Sequence, residues 1–254
     1  MKLFDLDGRV AIVTGGNGGI GLGMCRGLAD AGASVVVAAR NAEKGAAAVA
    51  ELRERGGTAE FVAVDVESEE SCHAMVASAV EKFGRLDILV NNAGISIRKQ
   101  PEDYDLAEFK KVIDTNLNSA FACCQAAYPE MKKAGGGKII NIGSMMSIFG
   151  AEFAAPYASS KGGIVQMTRA LACAWAKDNI QANSILPGWI DTDMTRTARQ
   201  VVKGLHESVL ARTPAGTWGH VDDFAGIAVF LSSHASDFVT GTAIPIDGGY
   251  SIKA

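Results

Sequence analysis

Residues 9–39 read RVAIVTGGNGGIGLGMCRGLADAGASVVVAA, and the order of textures in this stretch decides the fold. Arg9 to Thr14 is a short apolar run bounded by glycines, the pattern of a strand buried on both faces. A glycine cluster follows at once. Ile20, Met24, Leu28 and Ala31 then recur at helical spacing until Gly32 stops the helix, and Ala33 to Ala39 forms a second apolar strand. The glycine turn sets backbone amides at the positive end of a helix, where they can face a pyrophosphate. Glycine clusters also serve close packing of a helix on a strand, so the turn alone is a weak signal.

Working outward, the alternation continues. An Ala-rich helix covers Ala42 to Arg55, a strand lies around Phe61 to Val64, and a helix spans Glu69 to Phe83 with Met75, Val76, Ala79, Val80 and Phe83 on one side. Leu86 to Val90 and Lys138 to Gly143 are further strands. Between them a helical stretch covers Leu106 to Lys133, with Pro129 expected to kink or break it near its end. A helix then runs to Lys177, Gln181 to Leu186 is a strand, Val221 to Ser233 is helical, and Thr242 to Ile246 is a last short strand. Residues 189–212 are polar, rich in Thr and Arg and weakly patterned, which suits a mobile segment over a site. No linker divides residues 1–254, so the expectation is one α/β domain: a doubly wound parallel sheet of about seven strands with helices on both faces.

The bulk properties narrow the class. The chain has 254 residues, 48% of them apolar, with a formal net charge of -4 and no long basic block, so nothing favours nucleic acid as a partner. Acidic residues precede the first apolar run, no secretory signal is evident, and no uninterrupted apolar stretch of about 18 residues could cross a bilayer. The five cysteines (Cys25, Cys72, Cys123, Cys124, Cys173) contain no C-x-x-C pair and fit reduced thiols in a cytoplasm. The four histidines show no metal-ligand spacing, so no metal site is expected.

The chemistry falls in SMMSIFGAEFAAPYASSK, Ser144 to Lys161. Tyr157 and Lys161 lie one helical turn apart on one face. A free phenol, with a pKa of about 10, is a poor base at neutral pH, and an adjacent ammonium favours its ionised form. Ser144 ends the run KIINIGS, where a strand leaves its hydroxyl pointing into a cleft. Each of these taken singly has a plain alternative: an amphipathic helix edge for the Tyr–Lys pair, a strand-ending hydroxyl for Ser144.

Five motifs in one order change that balance. Thr14-Gly15-Gly16-Asn17-Gly18-Gly19-Ile20-Gly21, Asn91-Asn92-Ala93-Gly94, Ser144, Tyr157-x-x-x-Lys161 and Pro187-Gly188, with the closing Asp247-Gly248-Gly249, resemble the short-chain dehydrogenase/reductase family along the whole chain. The resemblance implies a Rossmann sheet binding NAD(H) or NADP(H), and a homotetramer. It implies that Gly15, Asn17, Gly19, Ile20 and Gly21 line the phosphates, Asp65 and Val66 the adenine, and Asn92, Ala93 and Gly94 the ribose. Pro187, Gly188, Ile190 and Thr192 would meet the nicotinamide end. By the same resemblance Tyr157 is the acid/base, Lys161 lowers its pKa and bonds the ribose, and Ser144 positions the substrate oxygen. Asn116 would bend the long helix and hold a water linking Lys161 to solvent.

At the end of the second strand stand Ala39 and Arg40, where NAD-preferring relatives carry an acidic residue. A guanidinium can pair with a 2'-phosphate, so NADP(H) is favoured, with NAD(H) as the alternative; Gly18 occupies the place where many NADP users put a second basic residue. Arg98, Met146, Phe153 and Trp189 are the candidate substrate contacts, Arg98 for an anionic or hydroxyl-rich molecule. The run NNAGISIRK and the stretch Ile139 to Ser144 resemble bacterial sugar-acid dehydrogenases. The expected reaction interconverts a secondary alcohol and a ketone on a sugar acid or polyol. Reduction of a 3-oxoacyl thioester or other small ketone is the runner-up, and an idle nucleotide-binding redox sensor the alternative from another class.

Overall fold

The strands β1 (Val10–Thr14), β2 (Ser34–Ala39), β3 (Ala59–Ala63), β4 (Ile88–Asn91), β5 (Gly137–Ile142), β6 (Ile180–Pro187) and β7 (Ala243–Ile246) form one sheet. In this computed structural model, which describes residues 2–253, their order is β3-β2-β1-β4-β5-β6-β7, and every pairing is parallel. The central strands are buried along their whole length, so β1 reads as an almost unbroken apolar run, while β5 and β6 bury the polar side chains of Asn141, Asn183 and Ser184 as well.

Successive side chains of a strand point to opposite faces, and two cores result. Ala11, Val13, Val35, Val37, Ile88, Val90 and Ile140 pack against α1 (Gly19–Asp30), α2 (Ala42–Glu54) and α9 (Ala225–Ser232). Ile12, Val36, Ala38, Leu89, Ile139 and Ala182 pack against α3 (Glu69–Phe83), α5 (Ser119–Lys133) and α6 (Ala155–Trp175).

The chain winds outward from β1 through β2 to β3, then returns to lay β4 on the other side of β1. At that reversal the loops leaving β1 and β4 diverge and open a crevice beyond the carboxyl ends of the strands. Register sets its walls: Thr14 pairs with Asn91, so the glycine turn and the Asn-Asn-Ala-Gly segment leave the sheet side by side.

Two expectations need correction. The stretch Leu106 to Lys133 is interrupted at its middle, not at Pro129: α4 (Leu106–Ile113) passes through a π-helical turn at Asp114–Asn118 before α5 begins. Pro129 removes only the hydrogen bond to the Gln125 carbonyl, and both residues are exposed, so water serves that carbonyl and the helix runs on to Lys133. Residues 189–212 are not irregular. They carry α7 (Asp193–Val201) and α8 (Leu205–Arg212), with the Thr192 hydroxyl accepting from the Thr195 amide. α7 is built on its cap and on ion pairs of Arg196 and Arg199, and α8 is only two turns long, which hid both from periodicity. Among the described residues no helix is long and apolar enough to cross a membrane.

Candidate active site

The crevice is a cavity of about 560 Å³ running from the end of β2 to the start of α6. Its floor is the glycine turn. Gly15 and Gly19 hold positive φ of 64° and 52°, and a Cβ at Gly21 would lie 2.4 Å from the Gly15 carbonyl oxygen. Gly21 is buried beneath the turn and does not line the cavity, so its part is to let α1 close onto β1. At Gly18, the N-cap of α1, a Cβ would meet nothing within 4 Å, and no side chain caps the helix. The first turn of α1 carries no acidic residue, so its free amides face open space as a pyrophosphate would require.

Asn92 acts chiefly as a staple. Its Nδ2 donates to the carbonyls of Thr14 (3.0 Å) and Gly15 (3.2 Å), while the Thr14 hydroxyl accepts from the amides of Asn92 and Ala93. Ala93 and Gly94 complete that wall, and Val64, Asp65, Val66 and Glu67 form the opposite side. Gly15, Asn17, Gly19, Ile20, Arg40, Pro187, Gly188, Ile190 and Thr192 also line the cavity. Sequence reading missed Thr115 and Glu67, which meet across it through a 2.6 Å hydrogen bond from the Thr115 hydroxyl.

Lys44 was missed as well. It lines the cavity one turn into α2, exposed like Arg40 at the same rim, and the amide of Lys44 bonds the Asn41 cap. The rim therefore carries two basic side chains, Arg40 and Lys44. The signal was its spacing, four residues beyond Arg40 at the start of a helical pattern.

Ser144, Tyr157 and Lys161 converge at the far end of the cavity. Ser144 lies two residues beyond β5, capping a single 3-10 turn at Met145–Ser147, and its backbone amide donates to the Ser147 hydroxyl, which in turn donates to the Lys161 carbonyl at 2.7 Å. Strand end and helix are therefore tied together. Asn116 lies outside the cavity wall, 2% exposed, within the π turn. Its Oδ1 accepts from the Ile95 amide (2.8 Å), and its Nδ2 donates to the Ile95 carbonyl and the Ser160 hydroxyl, which donates to the Tyr157 carbonyl. The widened turn is what lets one side chain reach both the loop after β4 and α6.

Burial pushes the Tyr157 phenol above its ordinary value; the Ser144 hydroxyl and the Arg98 charge pull it back. Lys161 stands over the same ring. Its ammonium, 5.7 Å from the Tyr157 ring centre, donates to the Ile142 carbonyl at 2.7 Å, and burial lowers it to about 8.

The four candidate substrate residues stand around the cavity, not on its wall. Arg98 stacks over Phe153 at 5.3 Å, with a buried Nη1 lacking any hydrogen-bond partner. Met146 packs on Met145, Val165 and Leu186, and Trp189 meets Trp218 edge to face at 5.6 Å.

Comparison with known proteins agrees with this geometry. The family described as enoyl-(acyl carrier protein) reductase matches residues 15–251. A 2-dehydro-3-deoxy-D-gluconate 5-dehydrogenase of Formosa agariphila is 40% identical over 98% of this chain and 95% of its own. A gluconate 5-dehydrogenase of Gluconobacter oxydans is 38% identical, covering 99% of this chain and 98% of its own. The crystal structure of a gluconate 5-dehydrogenase from Burkholderia cenocepacia in complex with NADP and tartrate superposes with a TM-score of 0.95 at 39% identity, covering 100% and 99% of the two chains. With its cofactor crevice, its Ser, Tyr and Lys at one end and these full-length relatives, the chain belongs to the short-chain dehydrogenase/reductase family of NAD(P)-dependent oxidoreductases acting on CH–OH groups.

Proposed function

We propose that this protein interconverts the secondary alcohol and ketone forms of a sugar acid with NADP(H). The observation that carries the substrate class is the charge of Arg98. It lies behind the cavity wall and bears on the Tyr157 phenol, so its field favours an anionic molecule bound beside that phenol. Gluconate-type activities among the relatives support the same class. Arg40 and Lys44, with Ala39 in place of a carboxylate, support the 2'-phosphorylated cofactor.

The nicotinamide, when bound, supplies or accepts the hydride. The protein's own residues handle the proton. Because burial keeps the phenol protonated at neutral pH, Tyr157 donates its proton to the oxygen as a ketone is reduced and recovers it in the reverse direction. Ser144 holds that oxygen through its hydroxyl. Lys161, held at the Ile142 carbonyl, is placed to bind the ribose beside Gly94, where a Cβ would come within 3.6 Å of its ammonium. Asn116 positions α6 against the loop after β4.

Four broader features belong to the same reading. Residues 189–212 form the movable wall of the substrate end. The protein works as a homotetramer, for which the exposed Leu106, Phe121, Phe238 and Ile252 offer apolar surface. Five free cysteines fit a cytoplasmic location. Neither nucleic acid nor membrane is a partner.

The test is purified protein with NADPH or NADH against 3-keto and 5-keto sugar acids and a 3-oxoacyl thioester. NADPH oxidation with a sugar acid is expected. Thioester reduction with sugar acids inert would favour the runner-up, and cofactor binding without oxidation of either would favour the redox sensor.

A further inference from the structure

The segment carrying α7 and α8 leaves and re-enters the body at one neck. There the Gly219 amide donates to the Trp189 carbonyl and the Asp191 amide donates to the Gly219 carbonyl, both at 2.9 Å. Between this neck and the anchored end of α8, the part carrying α7 can move without disturbing the sheet. At its near end Thr192, Asp193, Met194 and Thr195 face the cavity, so a movement of α7 opens or closes the nicotinamide end.

The two helices are held very differently. The C-terminal end of α8 is fixed to the body: Arg212 lies 4.3 Å over the Tyr250 ring and 4.9 Å over Phe149, and Val209 is buried. Besides its contact with α8, α7 is held by the buried Ala198, by the Thr195 hydroxyl donating to the Ile190 carbonyl, by charge and by one aromatic ring. Arg199 of α7 stacks on the face of Trp218 at 4.3 Å and pairs with Asp191, which also pairs with Arg196. On the same indole, Nε1 donates to His206 Nδ1 of α8 at 3.0 Å, and Trp189 packs against its edge. One side chain, standing at the neck, thus touches both helices and the strand exit that leads into them.

We propose that Trp218 is a positioning residue, the clasp that holds α7 closed over the reacting end. Its side chain does not line the cavity. It sets the fraction of molecules in which Thr192 to Thr195 form the cavity wall. This rests on reading the cavity as the cofactor and substrate site, but the clasp itself can be measured without any substrate.

A cation–π contact, an aromatic edge contact and a hydrogen bond lost together shift the open–closed balance by roughly ten- to hundredfold. Tryptic cleavage between Arg196 and Lys203 reports the open fraction when opening is fast. Trp218→Ala is expected to speed that cleavage at least about tenfold, with Trp218→Phe, which keeps the stacking and loses the Nε1 bond, in between. Binding of 2',5'-ADP at the adenine end should stay at the wild-type value. In turnover, KM for the sugar acid identified by the screen should rise severalfold with kcat within about twofold, because saturating substrate closes the lid.

Wild-type cleavage rates in Trp218→Ala, or a fall in kcat with KM unchanged, would overturn the clasp. If Trp218→Ala fails to bind 2',5'-ADP and is misfolded, Arg199→Met decides in its place by cleavage at Arg196 and Lys203. If no sugar acid is turned over, the substrate reading fails while the proteolysis and 2',5'-ADP measurements still decide the clasp.

Discussion

Lys161 offers a sharp test, because its position carries a cost that can be measured apart from catalysis. The ammonium is 4% exposed, and burial lowers its pKa from 10.5 to about 8. At about 1.4 kcal/mol for each tenfold change, holding that charge costs the folded protein about 3 kcal/mol below pH 8. Since the folded value lies below the unfolded one, the folded state binds fewer protons between about 8 and 10.5, and wild-type stability rises with pH through that window. Lys161→Met removes the charge and keeps the apolar stem. It also strips the Ile142 carbonyl of its donor, which costs about 1–2 kcal/mol at every pH. The variant should therefore be more stable than wild type by about 1–2 kcal/mol at pH 7 and less stable by a similar amount at pH 10. Urea unfolding of both proteins at equal subunit concentration and both pH values measures this, and the variant should have lost turnover, as a site that trades stability for function predicts. A stability difference that is the same at pH 7 and pH 10 would refute the buried-charge argument.

Tyr157→Phe removes the transferable proton and little packing, so NADPH titration by fluorescence should be near wild type while kcat falls by orders of magnitude; retained turnover would remove Tyr157 from the proton step. Lys44→Met should weaken NADPH by about tenfold and leave NADH unchanged, and Arg40→Asp should move preference toward NADH. Equal losses for both cofactors would show that neither side chain meets the 2'-phosphate. Gly21→Ala drives a Cβ to within 2.4 Å of the Gly15 carbonyl and 2.6 Å of Asn92 Nδ2. It should cost about 1–3 kcal/mol of stability and weaken both cofactors together, as thermal melts and binding titrations would show.

Much of the architecture was legible along the chain. Apolar runs such as Val10–Thr14 and Ile88–Val90 mark strands buried on both faces, and strand–helix alternation implies parallel pairing. The glycine turn, Ser144 and the Tyr157–Lys161 pair could be placed because their spacing is local: strand end to helix start, or one helical turn. Spacing says nothing of what crosses between elements. The π turn around Asn116, the orphan nitrogen of Arg98 and the rim shared by Arg40 and Lys44 each depend on chain segments brought together only by the sheet.

The sequence by itself determined most of the elements and the parallel sheet, because hydrophobic period and glycine placement are local properties. Only the tertiary structure decided how charge is tuned at the site. Whether a phenol's proton is held or released depends on burial and on which charges stand beside it in space. Here Ser144 and Arg98, 13 and 59 residues away along the chain, join Lys161, the neighbour one turn on, whose ammonium lies 5.7 Å from the ring centre and donates to the Ile142 carbonyl.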